Sequence, residues 1–164
     1  MRSDMGIDGS PADLATYRRH ADELSRYATV LVGPTDAADV VAEAVLSAFS
    51  ASGWRDVDNR RAYLYRSVLN RALSHRRSTA SRRRRETVVA LSSPSIAPAA
   101  SPEAELDAHK ALAALSPQQR AVVHLTYWED QTPAQIAGLL DVSEGTVRKQ
   151  LARARDHLRE ILHG

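Results

Sequence analysis

The last third of the chain, residues 131–162, constrains the fold more than any other segment, because it carries two helix start signals separated by only a short turn. Thr132 can cap a first helix that begins at Pro133. The dipeptide Asp141-Val142 follows as a turn, and Ser143 can cap a second helix. Two helices joined in this way predict a helix-turn-helix, which places its second helix in the major groove of DNA. Double-stranded DNA is therefore the first partner that the sequence suggests.

The predicted second helix divides into an apolar face and a basic face when its residues are placed about 100° apart. The apolar residues expected in the core are Val147, Leu151, Ala154, Leu158, Ile161 and Leu162. On the opposite face Gly145 and Ala152 keep the surface low, so that DNA can approach closely. The side chains that can reach phosphates or base edges are Thr146, Arg148, Lys149 and Arg153. The alternative is an ordinary helical hairpin with a solvated basic face.

Composition excludes several classes of protein. The chain contains no cysteine, which excludes disulfides and thiolate metal sites. No apolar run approaches the length that crosses a bilayer, and the N-terminus lacks a signal-peptide pattern, so we expect a cytoplasmic protein with no membrane insertion. The six histidines are scattered without metal or triad spacing. We therefore expect no catalytic residues, no metal, no cofactor and no enzymatic activity.

The predicted fold class is all-α, with two small helical domains joined by a flexible linker. Residues 1–10 are expected to be disordered, the first domain to span 11–78, the linker 79–100 and the second domain 101–164. The linker region carries an Arg run and then Ser, Pro and Ala, with few structure signals. The predicted helices cover residues 14–32, 36–49 (with Thr35 as its cap), 60–77, 101–115 and 119–128. Because of the linker, we expect the two domains to move independently.

Positive charge is concentrated around the third predicted helix, since residues 55–85 hold eleven Arg against two acids. One face of that helix combines an aromatic ring, guanidiniums and an amide: Tyr63, Arg66, Asn70 and Arg71. Such a face suits single-stranded nucleic acid, because bases stack on rings and arginines follow phosphates. Trp54, in the preceding loop, would supply another stacking surface. The alternative is that Tyr63 and Trp54 are core residues and the arginines form a solvated face.

The second predicted helix has the opposite chemistry. Asp39, Glu43 and Leu46 line one exposed stripe at helical spacing. A leucine among acids is typical of a protein-binding surface that matches a basic partner helix. The alternative is a soluble acidic face with one exposed leucine.

These patterns together resemble the extracytoplasmic-function (ECF) type of bacterial sigma-70 factor, which contains only the second and fourth sigma regions. The resemblance covers residues 12–78 and 101–162. Its strings are DAADVVAEAVLSAF (36–49), RRAYLYRSVLNRALSHRR (60–77) and LSPQQRAVVHLTYWEDQTPAQIAGLLDVSEGTVRKQLARARDHLR (115–159). The last string is the most specific, because S-P-x-Q-R, the acid pair Glu129-Asp130 and G-T-V-R followed by A-R-A-R occur in the family's order.

The resemblance implies an RNA polymerase sigma factor that binds core RNA polymerase through its beta and beta-prime subunits. It would recognise minus-thirty-five and minus-ten promoter DNA and help to melt the promoter. The first domain would be sigma region 2-like, with Asp39, Glu43 and Leu46 on the polymerase clamp. Its contacts to the minus-ten strand would be Tyr63, Arg66, Asn70 and Arg71. The second domain would be sigma region 4-like, with Thr146, Arg148, Lys149 and Arg153 on the minus-thirty-five duplex. An anti-sigma factor is a further implied partner.

Two other functional classes remain open from the sequence. One is a stand-alone helix-turn-helix transcriptional regulator, and the other is a sigma-mimic adaptor of RNA polymerase that does not bind DNA. Departures from the family's usual residues occur at Ala42 and Val45 in the clamp helix, and at Gln150 and Ala152 in the recognition helix. Because of the departures at Gln150 and Ala152, the resemblance does not predict which promoter sequence is recognised.

Overall fold

The computed structural model describes residues 10–85 and 110–164, and the regular elements in both stretches are helical. We call residues 10–85 the first lobe and residues 110–164 the second lobe. The helices of the first lobe are α1 (Pro11–Val32), α2 (Pro34–Ser50), a 3₁₀ turn (Trp54–Asp56) and α3 (Arg60–Arg85). In the second lobe residues 110–114 are helical and are followed by α4 (Pro117–Tyr127), α5 (Pro133–Leu140) and α6 (Glu144–His163). The predictions for residues 1–9 and 86–109 lie outside the described residues.

Local signals set most of the helix ends. Ser10 and Asp13 form a reciprocal capping box at the start of α1, with Pro11 at the first helical position. Gly33 ends α1 at φ 87°, a backbone conformation that favours glycine, and it is also the N-terminal cap of α2. Thr35 is therefore not the cap that the sequence predicted. The helix begins earlier because Pro34 has a φ that suits a first helical position.

The first lobe is a bundle in which α1, α2 and α3 pack against one another. Its core is built from slim aliphatic side chains together with two buried tyrosines and one tryptophan: Leu24, Tyr27, Leu31, Val40, Val41, Trp54, Leu64, Tyr65 and Val68. Glu23 of α1 joins the first helix to the third, because its carboxylate accepts from the Arg61 guanidinium and from the Tyr65 hydroxyl. Burial raises the pKa of Glu23, but these hydrogen bonds outweigh it and leave that pKa below its ordinary value.

The third helix extends further than the sequence indicated. It was predicted to end at Arg77, and it continues to Arg85. The eight additional residues contain neither Pro nor Gly, and four of them are arginines, which are good helix formers.

The second lobe confirms the predicted helix-turn-helix. Ser116 and Thr132 each form a capping box, and Ser143 caps α6 by accepting from the Thr146 amide. Between α5 and α6, Asp141 adopts a left-handed conformation at φ 56°, which an aspartate tolerates better than most residues.

Helix α6 is less buried at its C-terminal end than its apolar pattern predicted. Val147, Leu151 and Ala154 are buried as expected. Ile161 and Leu162 were expected in the core, but they are 37% and 59% exposed. Helical periodicity identifies the apolar face of a helix, but it does not show how far along that face a partner helix reaches.

The two lobes pack against each other, which differs from the expectation that they move independently. Helix α1 contacts α4, and α3 contacts both α4 and α5. The buried residues of both lobes belong to one continuous hydrophobic cluster. Tyr27 of α1 lies beside His124 of α4, with 6.1 Å between the ring centroids. Both faces are sufficiently apolar to be buried together, and the sequence pattern of each lobe alone does not reveal this pairing.

Among the described residues, none of the helices combines the length and the hydropathy needed to cross a membrane.

Candidate nucleic-acid interface

Helix α6 presents its predicted DNA-binding side chains to solvent. Thr146, Arg148, Lys149 and Arg153 are all exposed, and the buried residues of the helix lie on its opposite side. Arg148 is held along the helix by Glu144, with 3.2 Å between Nη2 and Oε2. Since both side chains are substantially exposed, that ion pair is weak and can be exchanged for a phosphate at little cost.

The first turn of α6 is ordered by its cap. Ser143 Oγ accepts from the Thr146 amide at 3.0 Å and lies 2.9 Å from Thr146 Oγ1. This pair fixes the Thr146 hydroxyl at the end of the helix where the amide dipoles favour an anion. In helix-turn-helix proteins the first turns of the second helix are the part that enters the major groove.

A second surface lies on α3. Tyr63, Arg66, Ser67 and Asn70 line an open cavity of about 280 Å³. The Arg66 guanidinium carbon is 5.9 Å from the Tyr63 ring centroid, so the ring and the cation lie on the same wall. Asn70 supplies an exposed amide with both a donor and an acceptor. A cavity with a ring, a cation and an amide can take an unstacked base and its phosphate.

Tyr63 is held in place by the tryptophan beneath it. The rings of Trp54 and Tyr63 meet edge to face, with 5.6 Å between their centroids. Trp54 is only 2% exposed, and its Nε1 donates to Asp13 Oδ1 at 2.8 Å. That hydrogen bond lowers the pKa of the Asp13 carboxyl.

The suggestion that Trp54 is a second stacking surface is therefore wrong. Trp54 is a core residue that supports Tyr63, and the alternative considered for it from the sequence is correct. The Trp54 indole donates a buried hydrogen bond to Asp13, which lies 41 residues away in the chain. No local sequence pattern reveals such a contact.

The acidic stripe of α2 lies next to this surface. Asp39, Glu43 and Leu46 are exposed, and Leu46 is 40% exposed although it is apolar. Arg71, the fourth predicted residue of the α3 surface, pairs with Glu43 through Nε and Oε2. The structure thus brings one predicted polymerase contact together with one predicted DNA contact.

Several residues that matter to these surfaces carry no clear signal in the sequence. Ser67 lines the cavity, and its hydroxyl donates to the Tyr63 carbonyl at 2.9 Å. The sequence predicts only a turn at Asp141, but its carboxylate lies 3.3 Å from the Arg66 guanidinium. Arg120 belongs to the S-P-x-Q-R string, which gives no sign that it joins the lobes by donating to the Leu31 carbonyl at 3.0 Å.

His124 is a buried polar residue at the contact between the lobes. It is 4% exposed, as expected for a packed core histidine, and it stacks on Trp128. Burial lowers the pKa of His124, and the nearby Glu129 carboxylate only partly offsets that effect. Its Nε2 lies 3.5 Å from Glu129 Oε1, which is longer than a good hydrogen bond.

Comparison with known families identifies two matching regions. Residues 16–83 match the family model described as sigma-70 region 2, and residues 105–158 match the one described as sigma-70, region 4. The first match covers most of the first lobe, including the cavity on α3. The second contains the helix-turn-helix and most of α6.

Individual relatives match both lobes together. The chain is 36% identical to the ECF RNA polymerase sigma factor SigL of Mycobacterium tuberculosis, over 90% of this chain and 87% of that protein. It is 32% identical to the RNA polymerase sigma-E factor of Streptomyces coelicolor, over 88% and 82%.

Two solved structures share the fold. One is the sigma factor RpoE in complex with the anti-sigma factor NepR from Bartonella quintana, with a TM-score of 0.71, 23% identity and coverage of 94% of this chain and 98% of that one. The other is CnrH in complex with the cytosolic domain of CnrY, with a TM-score of 0.63, 23% identity and coverage of 96% and 92%.

Proposed function

The chain belongs to the ECF group of sigma-70 RNA polymerase sigma factors, and from that premise we propose which residues of its two lobes contact polymerase and promoter DNA. The proposal rests on one observation above all. An exposed basic recognition helix lies in one lobe, and a cavity lined by Tyr63, Arg66 and Asn70 lies in the other.

We propose that the second domain, residues 101–164, binds the minus-thirty-five element as intact duplex. The exposed face of α6 supplies Thr146, Arg148, Lys149 and Arg153. Contacts from the cationic side chains to phosphates would fix the register on the duplex, and contacts to base edges would read its sequence.

The first domain, residues 11–78, would hold the non-template strand of the minus-ten element. An unstacked base enters the cavity beside Tyr63, while Arg66 and Arg71 contact phosphates and Asn70 contacts a base edge. Capturing flipped bases costs a few kcal/mol of unstacking, which these contacts offset as the promoter opens.

The acidic stripe of α2, made of Asp39, Glu43 and Leu46, would dock on the clamp of core polymerase. Its exposure and its charge fit a basic partner helix with an apolar position opposite Leu46. Polymerase then supplies the covalent chemistry, and the sigma factor acts in the cytoplasm as a binding and positioning subunit.

An anti-sigma factor is a further proposed partner. The two solved neighbours are complexes, RpoE with the anti-sigma factor NepR and CnrH with the cytosolic domain of CnrY, and each neighbour covers more than nine-tenths of this chain. The stand-alone regulator and the sigma mimic are not favoured, because the sigma-factor relatives match both lobes of the chain.

The proposed function is tested by run-off transcription with purified core polymerase and a promoter library. We expect transcripts that depend on this protein. The variant Arg148→Glu/Lys149→Glu should lose occupancy of the minus-thirty-five element and keep its association with core polymerase. Arg159→Glu, an exposed charge reversal later in the same helix, is the control.

The absence of transcripts from every promoter would contradict the function. Unchanged promoter occupancy by Arg148→Glu/Lys149→Glu would contradict the assignment of this face of α6 alone.

A further inference from the structure

Helix α3 carries charge of one sign along its whole length. Its 26 residues include ten arginines and one histidine, and they include neither Asp nor Glu. The cavity proposed for the minus-ten strand uses the N-terminal half of the helix, where Tyr63, Arg66, Ser67 and Asn70 lie. The C-terminal half lies beyond the cavity and carries six of the ten arginines.

The cations in the N-terminal part of α3 are paired with acids from other parts of the fold. These ion pairs are Arg60–Asp13, Arg61–Glu23, Arg66–Asp141, Arg71–Glu43 and His75–Asp36. Asp36 is the third residue of α2, so α2 does not accompany α3 beyond the level of His75. Among the residues that the structure describes, Arg76 and Arg77 form no ion pair, and both are exposed. Their positive charge is therefore available to a polyanion.

The helical period places Arg77 on the same face of α3 as the cavity. Tyr63, Asn70 and Arg77 are spaced by seven residues, and seven steps of about 100° return to within about 20° of the starting direction. Ser74, between Asn70 and Arg77, is also exposed, and its small side chain leaves this face open. The next position at the same interval is residue 84, within the Arg run. The face that forms the cavity thus continues as a basic face.

The chemistry of this face changes along the helix. The cavity combines a ring and an amide with a cation, which suits a single strand whose bases are exposed. Residues 74–85 contain Arg, Ser, Thr, Ala and one His, but no Phe, Tyr or Trp on which a base could stack. Arginine and hydroxyl side chains suit phosphate oxygens, which an intact duplex presents while its bases remain paired. The C-terminal half of α3 is therefore suited to duplex DNA.

The two surfaces are close enough to serve one DNA molecule. Residue 77 lies about 10.5 Å from residue 70 along the helix axis, and residue 84 lies about 21 Å from it. A length of about 21 Å corresponds to roughly six base pairs of duplex at about 3.4 Å each. The chain continues from Arg85 toward the second domain, which we place on the upstream minus-thirty-five duplex. The duplex beside this end of α3 is therefore the one upstream of the opened strand.

We propose that the C-terminal half of α3, with Arg77 at its centre, binds the phosphate backbone of duplex DNA at the upstream edge of the opened minus-ten segment. This inference rests on the proposed function, since it takes the cavity as the site of the minus-ten strand. The contact uses phosphates alone, so it does not depend on the base sequence. It holds the junction between paired and opened DNA at a fixed distance from the cavity.

The test removes charge from the proposed face and compares it with the neighbouring face. Arg77→Gln/Arg84→Gln changes the face shared with the cavity, and Arg77→Gln alone is the second variant. The matched control is Arg76→Gln/Arg83→Gln, which makes the same two changes one residue earlier, about 100° around the helix. Arg76 is exposed like Arg77, but it lies toward the second lobe, where burial and then the charge of Arg76 lower the pKa of Arg120.

Three fluorescent DNA probes of mixed sequence separate duplex from single strand. One is a single strand of about 12 nucleotides, and the other two carry the same strand joined to about 15 base pairs of duplex on its upstream or its downstream side. The full-length protein is titrated with each probe at several salt concentrations. Each contact to a duplex phosphate contributes about 0.9 to the slope of log K against log salt.

We expect Arg77→Gln/Arg84→Gln to bind the upstream fork about five- to tenfold more weakly than the parent protein, with a salt slope shallower by roughly 1.8. Arg77→Gln alone should bind it about two- to threefold more weakly. Both variants should bind the single strand and the downstream fork as the parent protein does. The control should stay within about twofold of the parent protein on all three probes.

Unchanged affinity for the upstream fork would overturn the inference, and so would an equal loss on all three probes or an equal loss in the control. Unchanged DNA binding together with lost co-elution with core polymerase would assign this face to an acidic protein surface instead. The proposed function fails separately, because the run-off assay uses the parent protein and the DNA titrations use no polymerase.

Discussion

At the scale of single residues, the proposed binding side chains are held by exposed and exchangeable contacts. Arg148 pairs with Glu144, and Arg71 pairs with Glu43, on surfaces that solvent reaches. Exposed pairs of this kind contribute about 0–1 kcal/mol each. The side chains are thus oriented in the free protein, and exchanging their carboxylate partners for the proposed DNA phosphates should cost little.

Gly145 provides a residue-scale prediction about close approach to DNA. A Cβ at Gly145 would meet only the Ser143 hydroxyl, at 3.8 Å, so the fold does not require glycine there. Gly145→Ala should leave the free energy of unfolding unchanged or raise it by up to about 1 kcal/mol. Binding to a minus-thirty-five duplex should fall, because the added methyl group projects from the face that approaches DNA.

The measurement is a thermal melt together with a duplex-binding titration. Gly138→Ala is the control, since a Cβ at Gly138 in α5 meets nothing within 4 Å and the substitution has the same effect on helix propensity. If Gly145→Ala bound the duplex as tightly as the parent protein, the close approach at this position would be excluded.

His124 provides a prediction about pH. Burial lowers the pKa of His124 in the folded protein, so below about pH 6.5 the unfolded chain takes up a proton that the folded chain does not. The free energy of unfolding should therefore be highest above that pH and should fall as the pH decreases toward the folded pKa. Denaturant titrations between about pH 5 and 8 measure this dependence.

His124→Phe is the matched variant, because it keeps a ring against Tyr27 and Trp128 and removes the titration. Its free energy of unfolding should vary less over the same pH range. Equal pH dependence in the two proteins would show that His124 is not responsible.

At the scale of helices, α2 and α3 each have one face in the core and another that is exposed. Helix α2 buries Val40, Val41 and Ala44 and exposes its acidic stripe on the other side. Helix α3 buries Leu64, Tyr65 and Val68 and exposes the cavity. Because the two exposed faces are neighbours joined by the Glu43–Arg71 pair, the proposed polymerase contact and the proposed strand contact lie side by side.

The acidic stripe is tested by replacing Asp39 with Asn, Glu43 with Gln and Leu46 with Ser. All three side chains are exposed, so the helix should still fold, with a loss of at most about 1 kcal/mol. Co-elution with core polymerase in size-exclusion chromatography should be abolished. Substitutions at two exposed α2 positions that flank the stripe, Ala38→Ser and Ser47→Ala, are the control. Co-elution that survives the stripe variant would place the clamp contact elsewhere.

At the scale of the whole molecule, the two lobes share one continuous hydrophobic core. Polar contacts at the edge of this core also connect the lobes. Arg120 makes the main one, because it donates both to the end of α1 and to the segment that precedes α4. A cation suits that position, since the last carbonyls of a helix carry partial negative charge.

Arg120→Met should destabilise the protein by about 2–4 kcal/mol, because it keeps much of the aliphatic stem and removes three charge-assisted hydrogen bonds. The melting temperature should fall by roughly 5–15 °C. Differential scanning calorimetry should also show that the lobes unfold less cooperatively. Arg159→Met, at an exposed position of α6, should change the melting temperature little. A parent-like melt for Arg120→Met would show that the guanidinium does not join the lobes.

The sequence alone determined most of the helices, though not every helix end, and it determined the helix-turn-helix and the outward faces of the proposed binding residues. Those features depend on signals within a few residues of each other, such as Ser116 with Gln119 and Thr132 with Gln135 in the capping boxes. The helical period then assigns Lys149 and Arg153 to the face opposite the core. The resemblance to the family added the roles proposed for these faces.

Only the tertiary structure decided which side chains meet across the chain. Trp54 donates to Asp13 rather than facing solvent, and Arg66 pairs with Asp141, 75 positions further along the chain. The packing of the lobes and the exposure of Leu162 were likewise decided only by the tertiary structure. A periodic pattern shows which face of a helix is apolar. It cannot show which distant segment will cover that face, because the free energy of such a contact depends on complementary surfaces that are adjacent only in the folded chain.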